Sequence, residues 1–184
     1  MKVLHVSQLG LPDWRVEKTA STGVKYGYKV FFAGMSSPES TNNSKVFEKI
    51  FKLNWQVTNY PKGLLIPYIL LGKPSIWLSV KKQIKIILED LRPDIVHAHN
   101  LISAKLMSEF DVPMIYNDHE YWSIYIKRKY ESKLLNNNNN NKVLRKVKSF
   151  LYNRIISIWS KWESDIVTRF PTFVVSKTIA NEMK

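Results

Sequence analysis

Two short stretches of this sequence gather ionisable side chains. Ile95-Val96-His97-Ala98-His99 ends in two imidazoles spaced i, i+2. Downstream, Met114-Ile115-Tyr116-Asn117-Asp118-His119-Glu120 ends in a carboxylate, an imidazole and a second carboxylate. Imidazole changes charge near neutral pH, both donates and accepts hydrogen bonds, and binds metals. A carboxylate beside it can orient the ring or hold a hydroxyl. Alternate residues of a strand share a face, so His97 and His99 point the same way. Such a pair supplies two metal ligands, but a third is not apparent along the chain, so no metal site is expected.

The elements that must position these groups follow from the flanking residues. Each stretch is a short apolar run introduced by a proline, Pro93 or Pro113. Runs of this kind read as buried strands of a parallel sheet. In an open α/β sheet, ligands bind beyond the carboxyl ends of the strands. The histidines and carboxylates fall at those ends.

The rest of the chain supplies the matching units. Lys2–Ser7 reads as a first strand, followed by a helix from Trp14 or Arg15 with Asp13 as N-cap and Glu17 in its first turn. Gly27 is placed to end that helix, and Tyr28–Gly34 reads as a second strand. This βαβ unit implies a parallel pair joined by a right-handed crossover. A further strand is expected between Phe47 and Tyr60, best placed at Asn54–Thr58. Ile76, Val80, Ile84, Ile87, Leu88 and Leu91 recur at helical spacing opposite Lys81, Lys82 and Lys85. A short helix over 101–110, a helix over 143–165, and a strand over 173–176 complete the pattern, and Ser176 can cap one more helix. The fold class expected is α/β, a Rossmann-like three-layer α/β/α arrangement on a mostly parallel sheet, in one domain over 1–184. The basic, asparagine-rich stretch near 130–143 has little to bury and reads as a mobile loop.

Composition narrows the classes. The chain has 184 residues, 45% of them hydrophobic, which suits a globular domain with a real core. It has no cysteine, which excludes disulfides and thiolate-ligated metals and is compatible with a reducing, cytoplasmic setting. With 28 Lys+Arg against 15 Asp+Glu the net charge is +13, a field that attracts polyanions. No helix-turn-helix, RRM or KH pattern supports nucleic acid as the partner. An anionic membrane surface fits better, with Lys62, Tyr68, Lys73 and Trp77 beside the basic 127–148 segment. The apolar 63–80 stretch is interrupted by Pro67, Gly72, Lys73 and Pro74, so attachment would be peripheral rather than spanning.

Four segments in order resemble the N-terminal domain of a family 4 glycosyltransferase of GT-B architecture. They are Asp13-Trp14-Arg15-Val16 with Gly27-Tyr28-Lys29-Val30, then Arg92-Pro93-Asp94-Ile95-Val96-His97-Ala98-His99. Pro113–Trp122 and Trp162-Glu163 with Phe173-Val174-Val175-Ser176 follow. The resemblance implies one half of a GT-B fold, with the acceptor side present and the C-terminal nucleotide-sugar domain missing. It implies a retaining sugar transfer from a nucleotide-sugar to a lipid-linked or polysaccharide acceptor, with no other cofactor and no metal. The fragment alone would be inactive.

By the same resemblance His119 contacts the reacting sugar, with Glu120 beside it. Glu120 equally suits a helix first turn, and Asp118 a structural role. His99, further out than His97, is expected to line the cleft, and His5 to be a satisfied core residue. Asp13 and Arg15 either face the cleft or serve as N-cap and surface arginine. Relatives carry a glycine pair after the first strand where this chain has only Gly10, so Arg15 at a helix N-terminus becomes the alternative anion contact.

Overall fold

The computed structural model describes residues 1–34, 44–53, 74–118, 121–125, 127–128, 142–174 and 181. His119 and Glu120 lie outside them, as do the expected strand at Asn54–Thr58, the apolar 60–73 segment, the asparagine run and the start of the helix after Ser176.

The described residues form ten elements in the order β1 (Lys2–Ser7), α1 (Trp14–Lys25), β2 (Lys29–Gly34), β3 (Lys49–Lys52), α2 (Pro74–Leu91), β4 (Ile95–His99), α3 (Leu101–Met107), β5 (Met114–Asp118), α4 (Lys142–Arg169) and β6 (Thr172–Val174). The strands form one sheet in the order β3-β2-β1-β4-β5-β6, every pair parallel. The chain therefore starts at the centre, winds outward to one edge, and returns to build the other half. The junction of the halves, between β1 and β4, is the topological switch point where such sheets open a crevice. The expected Rossmann-like α/β class is borne out.

Local chemistry sets the element ends. Asp13 is extended and its Oδ1 accepts from the Arg15 backbone N–H at 3.0 Å, satisfying one orphan donor of α1. Gly27 follows the helix with φ +78°, a conformation glycine adopts freely. Arg92 ends α2 with φ 47°, as Pro93 disfavours a helical residue before it. The Lys2 backbone N–H donates to Asp94 Oδ2 at 2.6 Å and the Asp94 N–H returns to the Lys2 carbonyl at 3.0 Å, which locks the start of β4 to β1.

The two faces of the sheet are covered unequally. Leu4, Val6, Val96, Ala98, Met114 and Tyr116 point to the face packed by α2, α3 and α4. Helix α4 lays Ile155, Trp159, Trp162 and Ile166 against it. Val3, Val30 and Phe32 point to the other face, where Val16 and Ala20 of α1 and Phe47 cover them. Toward β4 and β5 that second face thins: Ile95, His97, Ile115 and Asn117 are half-buried, and Phe173 of β6 is 60% exposed.

The third strand sits at Lys49–Lys52, inside the Phe47–Tyr60 window expected to hold it and ahead of Asn54–Thr58, which lies outside the described residues. A lysine at each end makes Lys49-Ile50-Phe51-Lys52 read as polar, although charged ends suit an edge strand. Helix α4 begins at Lys142, within the stretch read as the asparagine-rich loop and one residue before the expected start at Val143, and runs on to Arg169. Among the described residues, no helix is long and apolar enough to cross a membrane.

Candidate functional site

Two polar clusters sit at the carboxyl end of the sheet, on opposite faces. The first lies on the α1 face at the switch point. In the parallel register His5 is opposite His97, and Ser7 opposite His99. Register partners share a face, so three imidazoles meet. His5 Nδ1 and His99 Nε2 are 3.0 Å apart, at hydrogen-bond distance, and the His97 ring stacks on His99 with centroids 4.4 Å apart. Phe47 meets the His5 ring edge-on at 5.9 Å. Burial, and next the nearby His97, lower the His5 pKa to about 3, so it is neutral at physiological pH.

Sequence position along β4 puts His99 further out than His97, but burial runs the other way. His99 is 1% exposed, enclosed by its contacts with the other two rings, and His97 is half-buried. His5 is a core residue as expected, yet its neighbours are imidazoles rather than aliphatic groups alone. The signal that would have found this group is the histidine inside the first strand: in a sheet with β1 beside β4, it must stand near the pair.

The second cluster lies on the α4 face beyond β5. Asp118 is the last residue of the strand and fully buried. Next to it in space is Glu163, 2% exposed in the middle of α4. Ser123, in the helical turn after β5, donates its hydroxyl to Glu163 Oε2, and its backbone N–H reaches the same oxygen at 3.3 Å. The exit of β5 is thereby pinned to α4 across 40 residues of sequence. Trp122 packs against Trp159 at 5.8 Å, and Trp159 against Trp162 at 6.4 Å, in the same helical layer that buries Glu163. That burial raises the Glu163 pKa to about 7, opposed by the Ser123 bonds and reinforced by the charge of Asp118. Tyr116 is pushed well above its usual phenol range, first by burial and then by the same two acids.

Glu163 and Ser123 were not among the site residues read from sequence. Glu163 occupies the stripe of Ile155, Trp159, Trp162 and Ile166, and an acid on an apolar helix face is the cue that marks it. The polypeptide between Asp118 and Ser123 carries His119 and Glu120, so this pinning fixes both ends of the segment that bears them.

The remaining residues stand at the β1–α1 loop. Asp13 serves as N-cap and also lies 3.6 Å from Arg15 Nε, with the Arg15 side chain about one-third exposed. The capping half of their two readings is therefore realised in the structure. Gly10 is half-buried between Ser7 and the helix. The loop leans on the end of β2: a Cβ at Gly34 would stand 2.7 Å from the Leu9 carbonyl oxygen and 2.6 Å from the Phe32 ring. Only glycine admits the loop at that distance. Trp14, at the first position of α1, is 70% exposed.

No family model matches the chain, and no curated protein matches its sequence. Solved structures do match its fold. The calicheamicin glycosyltransferase CalG4 superposes with a TM-score of 0.51 over 94% of this chain and 47% of its own, at 13% identity. A sucrose-phosphate synthase from Thermosynechococcus elongatus superposes with a TM-score of 0.51 over 95% of this chain and 48% of its own, at 9% identity. The chain thus spans less than half the length of either. At such identities the likeness is one of architecture: an all-parallel, Rossmann-like α/β sheet of the kind found in GT-B glycosyltransferases.

Proposed function

We propose that this chain is the acceptor-side, N-terminal half of a retaining family 4 glycosyltransferase. The longer protein would move a glycosyl group from a nucleotide-sugar to a hydroxyl of a lipid-linked or polysaccharide acceptor, releasing the nucleoside diphosphate. The observation that carries this reading is the carboxyl edge of the sheet. Asp13, Arg15 and the β1–α1 loop stand on one side of the switch point, and the end of β5, braced by Glu163 through Ser123, leads into His119 and Glu120 on the other. A crevice between them, closed by a second Rossmann-like domain, would hold the donor.

In this reading each group has a distinct task. His119 positions the transferred sugar by hydrogen bonds to its hydroxyls, with Glu120 alongside. Arg15, at the N-terminus of α1, meets the diphosphate together with the backbone near Gly10. His99 and Asp118, both buried, shape the crevice floor. The transfer needs no organic cofactor beyond the sugar nucleotide.

A membrane-peripheral site of action is supported by exposed residues near the beginning of α4. Lys146, Val147, Phe150 and Arg154 are exposed there at helical spacing, Phe150 by 66% and Val147 by 50%. This basic and apolar stripe suits an anionic bilayer that presents a lipid-linked acceptor. The same stripe favours the second reading, an anionic-membrane-binding module without catalysis.

The test is sugar transfer by the longer protein that contains this chain, with radiolabelled sugar nucleotides and lipid acceptors in vesicles. His119→Ala should lower kcat/KM by about 10²-fold, the scale of a lost positioning contact. Unchanged kinetics would remove His119 from the mechanism. Vesicle binding without transfer from any sugar nucleotide would favour the non-catalytic module.

A further inference from the structure

Three imidazoles converge at the switch point from two strands far apart in sequence, on a geometry that resembles a coordination site. Their candidate ligand nitrogens all lie within 4.8 Å of one another. The closest two, His5 Nδ1 and His99 Nε2, already face each other at 3.0 Å. Tetrahedral zinc has Zn–N bonds of about 2.0–2.1 Å, which sets its nitrogens about 3.3–3.4 Å apart. The His5–His99 pair is within a few tenths of an ångström of that spacing. Rotation of the His97 ring about its broad χ2 well brings in the third.

We propose that His5, His97 and His99 bind one late first-row divalent cation, of the zinc class, between β1 and β4. The donor set decides the class. Neutral imidazole suits zinc, cobalt, nickel and copper, whereas magnesium and calcium require oxygen ligands. His97 is the half-buried member, so the ion enters past it and its open coordination position faces that side. His5 and His99 are 94 residues apart, and the ion would clip the two halves of the sheet together at their junction. Because metal binds the folded state and not the separated ligands, it would raise stability by mass action. This inference is independent of the sugar-transfer reading.

The experiment uses the untagged chain, stripped with a chelator. Cobalt(II) is titrated with visible absorption as the readout, and zinc by calorimetry, with magnesium as control. The expected result is one zinc or cobalt per chain with micromolar or tighter Kd, no magnesium binding, and a thermal midpoint raised by zinc and returned by chelator. His97→Gln and His99→Gln should each weaken binding by more than about tenfold, since even residues that only orient a ligand cost that much. His97 is half-buried, so His97→Gln decides the matter if the buried variant does not fold. Absence of stoichiometric binding to the folded chain would overturn the proposal, as would wild-type affinity in folded His97→Gln.

Discussion

The two faces of the sheet solve the same electrostatic problem from opposite ends of the pH scale. On the α4 face a carboxylate is buried in the helical layer, and its pKa climbs to about 7. On the α1 face an imidazole is buried beside two others, and its pKa drops to about 3. Desolvation is the leading cause in both, and in both it favours the neutral form. What differs is the packing around them. Among the described residues, the α4 face is a thick layer built by three helices and paved with large side chains, whereas the α1 face is covered by one helix and leaves Ile95, His97, Ile115 and Asn117 half-buried. The thick face suits a rigid brace, and the half-buried face suits a site that admits a ligand.

The largest expected effect breaks or confirms that contrast directly. Leu106 on the α4 face and Leu11 on the α1 face are both buried, at 0% and 2% exposure. Leucine-to-alanine costs depend on how far the surroundings can collapse. Leu106→Ala, enclosed within the helical layer, should cost about 4–5 kcal/mol in urea denaturation. Leu11→Ala, on a loop that can settle inward, should cost about 2–3 kcal/mol. Equal losses would mean that the two layers are packed alike.

A smaller effect tests the brace through its pH dependence. The Glu163 carboxyl has its folded pKa raised above the ordinary value, from 4.5 to about 7. Between those values the native state holds a proton that the unfolded chain has released. Stability therefore falls as pH rises from about 4.5 to 7, then levels off. Glu163→Gln keeps an oxygen to accept from Ser123 but cannot ionise. It should stabilise the chain at pH 8 by on the order of 1–2 kcal/mol and leave it unchanged near pH 4. Thermal unfolding at the two pH values reads this. A variant destabilised at pH 8 would show that the carboxylate is held ionised, with Asp118 carrying the proton of the pair.

How much of this was legible in the sequence depended on how local each signal was. Strand β1, the Asp13 cap, the Gly27 stop and the apolar stripe of α2 are set by near neighbours, and the chain displays them openly. Strand β3 lies inside the expected Phe47–Tyr60 window, but its exact place was not legible because its identity comes from pairing with β2 rather than from its own short, lysine-ended run. The imidazole cluster was half-visible. His97 and His99 announce themselves, but His5 joins them only through the β1–β4 register, a contact across the whole first half of the chain. Glu163 shows a local cue, an acid within the apolar stripe of α4, but its Ser123 partner lies 40 residues away and appears only in the fold. The reacting pair expected at His119 and Glu120 lies outside the described residues, so the structure speaks only to what anchors the segment on either side.

The smallest effect separates the two tasks open to Asp13 on the α1 face. As a cap, it satisfies the Arg15 N–H, and Asp13→Ala should cost about 1 kcal/mol of stability. Serine caps nearly as well through its hydroxyl, so Asp13→Ser should cost only a few tenths. The serine variant still removes the carboxylate 3.6 Å from Arg15. If that carboxylate only caps, sugar transfer by the longer protein should be retained in Asp13→Ser. If it also holds Arg15 toward a diphosphate, KM for the sugar nucleotide should rise several-fold in Asp13→Ser while the thermal midpoint stays put. A rise in KM confined to Asp13→Ala would instead trace the effect to a frayed α1, because only that variant loses the cap. The α1 face would then owe its ligand site to helix geometry rather than to the carboxylate itself.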